Sequence, residues 1–372
     1  MIPLEEFAEV LWRPAHLDWL VSRYGADEVL WRARQEGLAP YLAWRLPAST
    51  LLADARRTAV LDDAVRRPAI VAACDALGAA GLRPLVFKGG AWAHTTYPEP
   101  WCRPSMDLDL LVRRDERAPA CVALQAAGFT PSGRIPGDYV NHQEAFTRSL
   151  APGITFTVDL HWQISNRPMV AAALPETALL ARAFPAPYAG AHAWQADAID
   201  SLLIACLHPV AHHPDHVRLM WWLDVARLAE TLPADRLEAV RARAAHAGVS
   251  GLVAHALGEA RRWCYGTDPA APALSAAFRQ ALASAGTSDA SLALLNPARG
   301  LLADVWTDLR ALPTTRARLV LAREHLLPPA AFMYTRYGTR RPWMLPVLYA
   351  RRLVAGGVRW LRDWITGRRP AT

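Results

Sequence analysis

Apolar residues recur at helical spacing in EEFAEVLW, EVLWRARQ and LLADARRTAVLDDAV, with Pro14, Pro40 and Pro47 between them. Residues 1–80 are therefore expected to form a helical arm. Between Arg83 and about Trp162 the period changes. RPLVFKG is a short β-rich run closed by glycines. MDLDLLV alternates and then turns fully apolar. FTVDLHW alternates again, placing Phe156, Val158, Leu160 and Trp162 on one face and Thr157, Asp159 and His161 on the other. APACVALQAAG, between the last two runs, has a helical period and ends at Gly128. Helical periods return from about Ala196, in LIACLHPVAHH, MWWLDVARLAE, VRARAAHAG, LLADVWTDLRAL and LYARRLVAGGVRWLRDWI. No internal repeat or low-complexity tract interrupts them. The expected class is α+β. A small mixed-sheet core over 81–195 is flanked by the arm (1–80) and a helical C-terminal domain (196–372).

Composition narrows the picture modestly. At 372 residues, with 52% hydrophobic and 20% charged residues, the chain can bury a sizeable core. Fifteen tryptophans suit broad helix packing. No run reaches about 18 uninterrupted apolar residues, so no spanning helix and no stable membrane insertion are expected. Glu5 and Glu6 stand where a signal peptide would carry positive charge. The five cysteines are odd in number and form no CxxC, which suits a reducing, cytoplasmic compartment. A net charge of +7 favours an anionic partner without choosing one.

The chemistry concentrates in LVFKGGAWAHTTYPEPWCRPSMDLDLLV, residues 85–112. Lys88 is the only lysine in the chain. Gly89 and Gly90 follow it and lead into AWAHTTY. A strand that ends in two glycines and enters a helix can present free backbone N–H groups to a phosphate; it can equally be a tight turn. Asp107 and Asp109 are two apart on a strand and so share a side. Paired carboxylates repel, and Mg²⁺ answers that repulsion with hard oxygen coordination. On this view, neutralising either aspartate relieves repulsion and leaves the metal-free protein at least as stable. Asp159, in VDLHW, supplies a third carboxylate. Three carboxylates can hold two Mg²⁺ ions, the arrangement that binds a triphosphate and activates an attacking hydroxyl.

The ordered set of glycine turn, Asp-x-Asp strand and later lone aspartate resembles the DNA polymerase β-like nucleotidyltransferase superfamily. More narrowly, LVFKGGAWAHTTYP, RPSMDLDLLV, the GF of AAGF and VDLHW look like bacterial nucleotidyltransferases often encoded beside lasso-peptide and other peptide-modification genes. LHPVAHH, MWWLDVARL and LLPPAAFMYTRYG extend the resemblance over roughly residues 60–340. It implies an NTP substrate, two Mg²⁺ ions and catalysis by Asp107, Asp109 and Asp159. Two departures bear on the phosphate contacts. Gly-Gly replaces the more usual Gly-Ser, and Met106 stands directly before Asp107, with Ser105 one step earlier.

Several residues keep two readings each. Lys88 is a point charge for a β- or γ-phosphate, or a chance survivor in an arginine-rich chain. Arg103 is a second phosphate ligand or a surface arginine. His161 orients the acceptor or acts as a base, or it packs beside Trp162. His208 and His212 are four apart within HPVAHHPDH, which also holds His213 and His216; they form a metal face or a helix wall beside the nucleotide. Asp224, on an apolar helix, is expected to pair with an arginine. The basic C-terminal helix lies on a membrane surface or packs on its own domain. Three functions follow: NMP transfer from an NTP to an acceptor (peptide, protein, RNA end or small molecule), non-catalytic nucleotide or peptide binding on the same fold, or metal-dependent nuclease or phosphatase chemistry.

Overall fold

The computed structural model describes residues 1–132, 141–213, 217–266, 290–295, 301–339 and 341–366. The helical periods before residue 80 become α1 (Leu4–Ala8), α2 (His16–Tyr24), α3 (Ala26–Gln35), α4 (Ala39–Arg45) and the long α5 (Ala53–Ala79). α5 continues through Pro68 and buries Ala69, Ala73, Cys74 and Leu77, a narrow face of small side chains that lets the helix lie close to its neighbours.

The described strands then form one seven-stranded mixed sheet, in the order β3-β4-β5-β2-β1-β7-β6. They are β1 (Leu85–Val86), β2 (Asp107–Leu111), β3 (Thr130–Pro131), β4 (Gln143–Ala151), β5 (Ile154–His161), β6 (Phe184–Pro185) and β7 (Trp194–Gln195). β2 and β5 are central and parallel, with Asp109 in register with Asp159 and Leu110 with Leu160. β4 returns antiparallel to β5 through a turn at Pro152 and Gly153, and Gly153 takes φ +77°. That glycine-containing turn is an ordinary hairpin device. Leu108, Leu110, Val158 and Leu160 are fully buried beneath the sheet, because one helical layer covers that side. α6 (Gly89–Thr95) leads away from β1, and α7 (Arg117–Ala126) follows β2 and packs against α5.

After the short helices α8 (Pro168–Ala173) and α9 (Glu176–Arg182), the chain turns helical again in α10 (Ala198–His212), α11 (Leu219–Thr231), α12 (Ala234–His246) and α13 (Ser250–Tyr265). α10 is apolar on every side and accordingly central: twelve of its fifteen residues are buried. It runs through Pro209 rather than breaking there. Asp200, fully buried at its first turn, is neutralised by Arg182 and Arg243. A continuous apolar core runs from Ile2 to Leu294 and joins the arm, the sheet and these helices. Further helices span Leu301–Ala311, Thr315–Leu326, Ala330–Tyr337 and Leu345–Thr366. On the last of these, Val347, Leu353, Val354 and Val358 are exposed. No described helix is long and apolar enough to cross a membrane. All five cysteines are free.

Candidate active site

Strand alternation and register build the site. Asp107 and Asp109 leave β2 on the same side, and Asp159 leaves β5 beside Asp109. The three carboxylates line a cavity of about 460 Å³, together with Lys88, Gly89, Trp92, Arg103, Ser105 and residues of α10 and α11. Asp107 is the outermost; Asp109 and Asp159 are buried.

Asp109 is the electrostatic hub. Its Oδ1 accepts from Lys88 Nζ and from His161 Nε2, each at 2.8 Å. Burial works against the Asp109 charge, but the ammonium of Lys88 and the hydrogen bond from His161 outweigh it and hold the carboxyl well below the usual carboxylate range. Asp109 Oδ2 takes no hydrogen bond among the described residues. Asp107 lacks such support. Burial and the nearby Asp109 charge push its carboxyl up, against the pull of Lys88 and Arg103. Ser105 Oγ donates to the Asp107 carbonyl at 2.8 Å and lies 3.5 Å from its Oδ1, so it pins the start of β2. Asp159 Oδ2 accepts from Gln143 Nε2 on β4.

Lys88 occupies an unusual backbone position. It is the one non-glycine residue with positive φ among the described residues, at φ 52° and ψ −141°. Such a conformation costs of order 1–3 kcal/mol for a residue with a Cβ. Phe87 N still bonds Asp109 O at 3.3 Å, so the reversal begins directly after the β1–β2 pairing and swings the ammonium onto Asp109.

The glycines have a steric reason. A Cβ on Gly89 would overlap Arg103 Nη1, and one on Gly90 would meet Leu108 Cδ1 at 3.1 Å. Arg103 lies across the turn because it is held from behind: Nη2 donates to Asp224 Oδ2 at 2.7 Å and Nε to Asp224 Oδ1 at 3.2 Å. Tyr97 Oη donates to the same Oδ1 at 2.8 Å. Asp224 thus pairs with an arginine, as its apolar helix suggested. Arg103 is not a surface arginine; its side chain is 11% exposed and ion-paired.

His161 does not reach the cavity. It is fully buried, edge-on to Phe87 with ring centroids 5.0 Å apart. Burial, then the Lys88 charge, lower its pKa to about 4, so it is neutral. A carboxylate can only accept, which assigns the proton to Nε2. The observed contact of His161 is with Asp109, which it holds from a fully buried position behind the cavity. Asp109, Asp159 and His161 offer ligand atoms within 4.8 Å of one another, the one such set of three or more among the described residues. His208 and His212 belong to no such set. They form a wall with His142, His213 and Trp221: His142 stacks on His212 at 5.4 Å, and His213 on Trp221 at 4.5 Å. His216 lies outside the described residues.

This geometry agrees with an independent comparison. The family model described as an uncharacterised nucleotidyltransferase matches residues 23–264, which hold every residue of the cavity. The chain belongs to that nucleotidyltransferase family. A search among curated proteins finds no match. The match begins within the helical arm and ends in α13, so it takes in helices that precede and follow the strands in the chain.

Sequence reasoning did not find His142, Gln143, Arg218 or Trp221 as components of this nucleotidyltransferase's cavity. The Pro152–Gly153 dipeptide was the available signal for the β4–β5 hairpin, and hence for Gln143 beside Asp159. Nothing local marked Arg218.

Proposed function

We propose that the protein is a Mg²⁺-dependent enzyme that moves NMP from an NTP to an acceptor hydroxyl or phosphate. The observation that carries the reading is the placement of Asp107, Asp109 and Asp159 on one side of two parallel central strands, facing a single cavity. All three are hard oxygen donors of the kind Mg²⁺ prefers, and Asp109 keeps one oxygen clear of hydrogen bonds. Asp107, Asp109 and Asp159 would hold the ions, which when bound neutralise triphosphate charge and make the acceptor oxygen a better nucleophile.

The chain's own residues do the rest. His161 and Lys88 fix Asp109, and Gln143 fixes Asp159. The cavity volume falls in the range that encloses small ligands. The acceptor oxygen bonds the α-phosphorus as the bond from that phosphorus to the bridging oxygen of the β-phosphate breaks. Pyrophosphate leaves with that electron pair, and Asp159 accepts the acceptor's proton.

The test is incubation with each α-labelled NTP and Mg²⁺ against a peptide, a protein, an RNA end and small-molecule acceptors. Binding and single-turnover rates are then compared in variants. Asp159→Ala is expected to leave Mg·NTP binding nearly unchanged and to remove the chemical step, the mark of an interaction made in the transition state. Asp109→Ala is expected to damage both. Wild-type turnover in Asp159→Ala would defeat the assignment.

A further inference from the structure

The cavity presents three cationic side chains, and two are committed. Lys88 is bonded to Asp109 and Arg103 to Asp224. Arg218, directly before α11, is not. It lines the same cavity, yet its side chain makes no hydrogen bond or ion pair among the described residues, and its Nε is buried without a partner. Such a half-buried guanidinium carries a cost: its Nε–H has lost water and gained no acceptor. Burial and the neighbouring Arg103 pull its pKa down, while Glu36, Asp224 and Asp107 pull it up. An arginine stays charged through shifts of that kind.

The fold nevertheless holds Arg218 in place. Leu219 N donates to Glu36 Oε2 at 3.0 Å, and Arg32 Nη1 lies 3.3 Å from Glu36 Oε1. The arm thereby clamps the backbone next to Arg218. The side chain passes over Gly37, where a Cβ would stand 3.0 Å from Nη2. Gly37 has φ +74°, a second reason for glycine there. A cation with no bonded partner and a dedicated mount, across the cavity from three carboxylates, is arranged for an anion that arrives from outside.

We propose that Arg218 is the outer-phosphate ligand of this cavity. Its guanidinium takes the β- or γ-phosphate of the incoming triphosphate, and pyrophosphate after transfer, while Lys88 and Arg103 keep their carboxylates. The proposal rests on the transferase reading above. A planar fork of N–H donors suits two phosphate oxygens at once.

The test uses the full chain and titrates each of the four NTPs with Mg²⁺, then Mg·pyrophosphate, then the NMPs, into wild type, Arg218→Ala and Arg218→Lys. Loss of a charged hydrogen-bonding group predicts about a ten- to hundredfold weaker binding of NTP and pyrophosphate in Arg218→Ala, with NMP nearly unchanged. Arg218→Lys recovers part of the loss. The thermal midpoint of ligand-free Arg218→Ala is expected to equal or exceed that of wild type, because an unpaired cation is removed; a structural arginine would lower it. Unchanged NTP and pyrophosphate affinity, or an equal loss for NMP, overturns the assignment while leaving the transferase reading intact. Wild-type protein that binds none of the triphosphates defeats the transferase reading, and the assignment with it.

Discussion

Asp224 offers a sharp test of how the site is held. Its carboxylate is 1% exposed and accepts from Arg103 twice and from Tyr97 once. Asp224→Ala would leave the Arg103 guanidinium buried without a counter-ion, at a cost of about 3–5 kcal/mol. It would also orphan the Tyr97 hydroxyl, worth about 1–3 kcal/mol. The two effects share one site and do not add fully, so about 4–6 kcal/mol is expected. That is a large part of the roughly 5–15 kcal/mol that stabilises an ordinary domain. Urea unfolding followed by tryptophan fluorescence reads it as a shift in midpoint at constant slope. The companion variant Arg103→Met/Asp224→Leu removes both charges and fills the space. It should recover at least half of the loss, since most of the damage is an unpaired ion rather than a missing attraction. A loss below about 1 kcal/mol in Asp224→Ala would refute the reasoning. So would a double variant as unstable as the sum of its singles.

Further outcomes can be checked alongside. Asp107→Asn should leave the metal-free protein as stable or more so, because burial and Asp109 already disfavour its charge. Asp109→Asn should lower the thermal midpoint, because Lys88 loses its counter-ion; the idea fails if the two variants melt alike. Gly89→Ala should cost about 1–3 kcal/mol in the same urea assay, because its Cβ collides with an arginine that Asp224 will not release. His94, His142, His161, His208 and His212 are all held neutral, chiefly by burial, with pKa values below the unfolded value of about 6.5. The unfolded chain then binds more protons as pH falls. The stability they contribute is full above about pH 6.5 and is lost as pH drops toward their folded values, about 4 for His161 and about 3 for His212. Urea midpoints measured down this range should fall with more than one proton taken up per molecule; a flat profile would count against it.

The strongest local patterns were legible. Period-two alternation in MDLDLLV and FTVDLHW put Asp107, Asp109 and Asp159 on the faces they occupy, because strand geometry leaves no other choice. The α+β class followed from the change of period near residue 83. Less could be read where a role depends on distant partners. Arg103 was open between phosphate ligand and surface arginine because its counter-ion lies 121 residues away. Arg218 gave no signal because the Glu36 clamp next to it spans 183 residues. Strands β3, β6 and β7 have two residues each, too few to show any period. β4 escaped because its residues are mostly half-buried on both faces, which blurs the alternation. The histidine wall read as two open alternatives since spacing along α10 cannot show that its neighbours are another histidine and a tryptophan.

The long reach of the Arg103 pair has a consequence for how the protein is made. A ribosome delivers Arg103 and Tyr97 well before Asp224, which follows them by 121 and 127 residues. Until α11 emerges, a nascent chain that already contains the whole sheet carries Arg103 without the carboxylate that it bonds in the folded protein. Water must stay at the guanidinium to solvate it. The part of the cavity wall that Arg103 forms is therefore expected to set only once α11 has been made, whatever secondary structure has formed. A chain cut before residue 224 is expected to leave the Gly89 turn without the fixed arginine that packs across it.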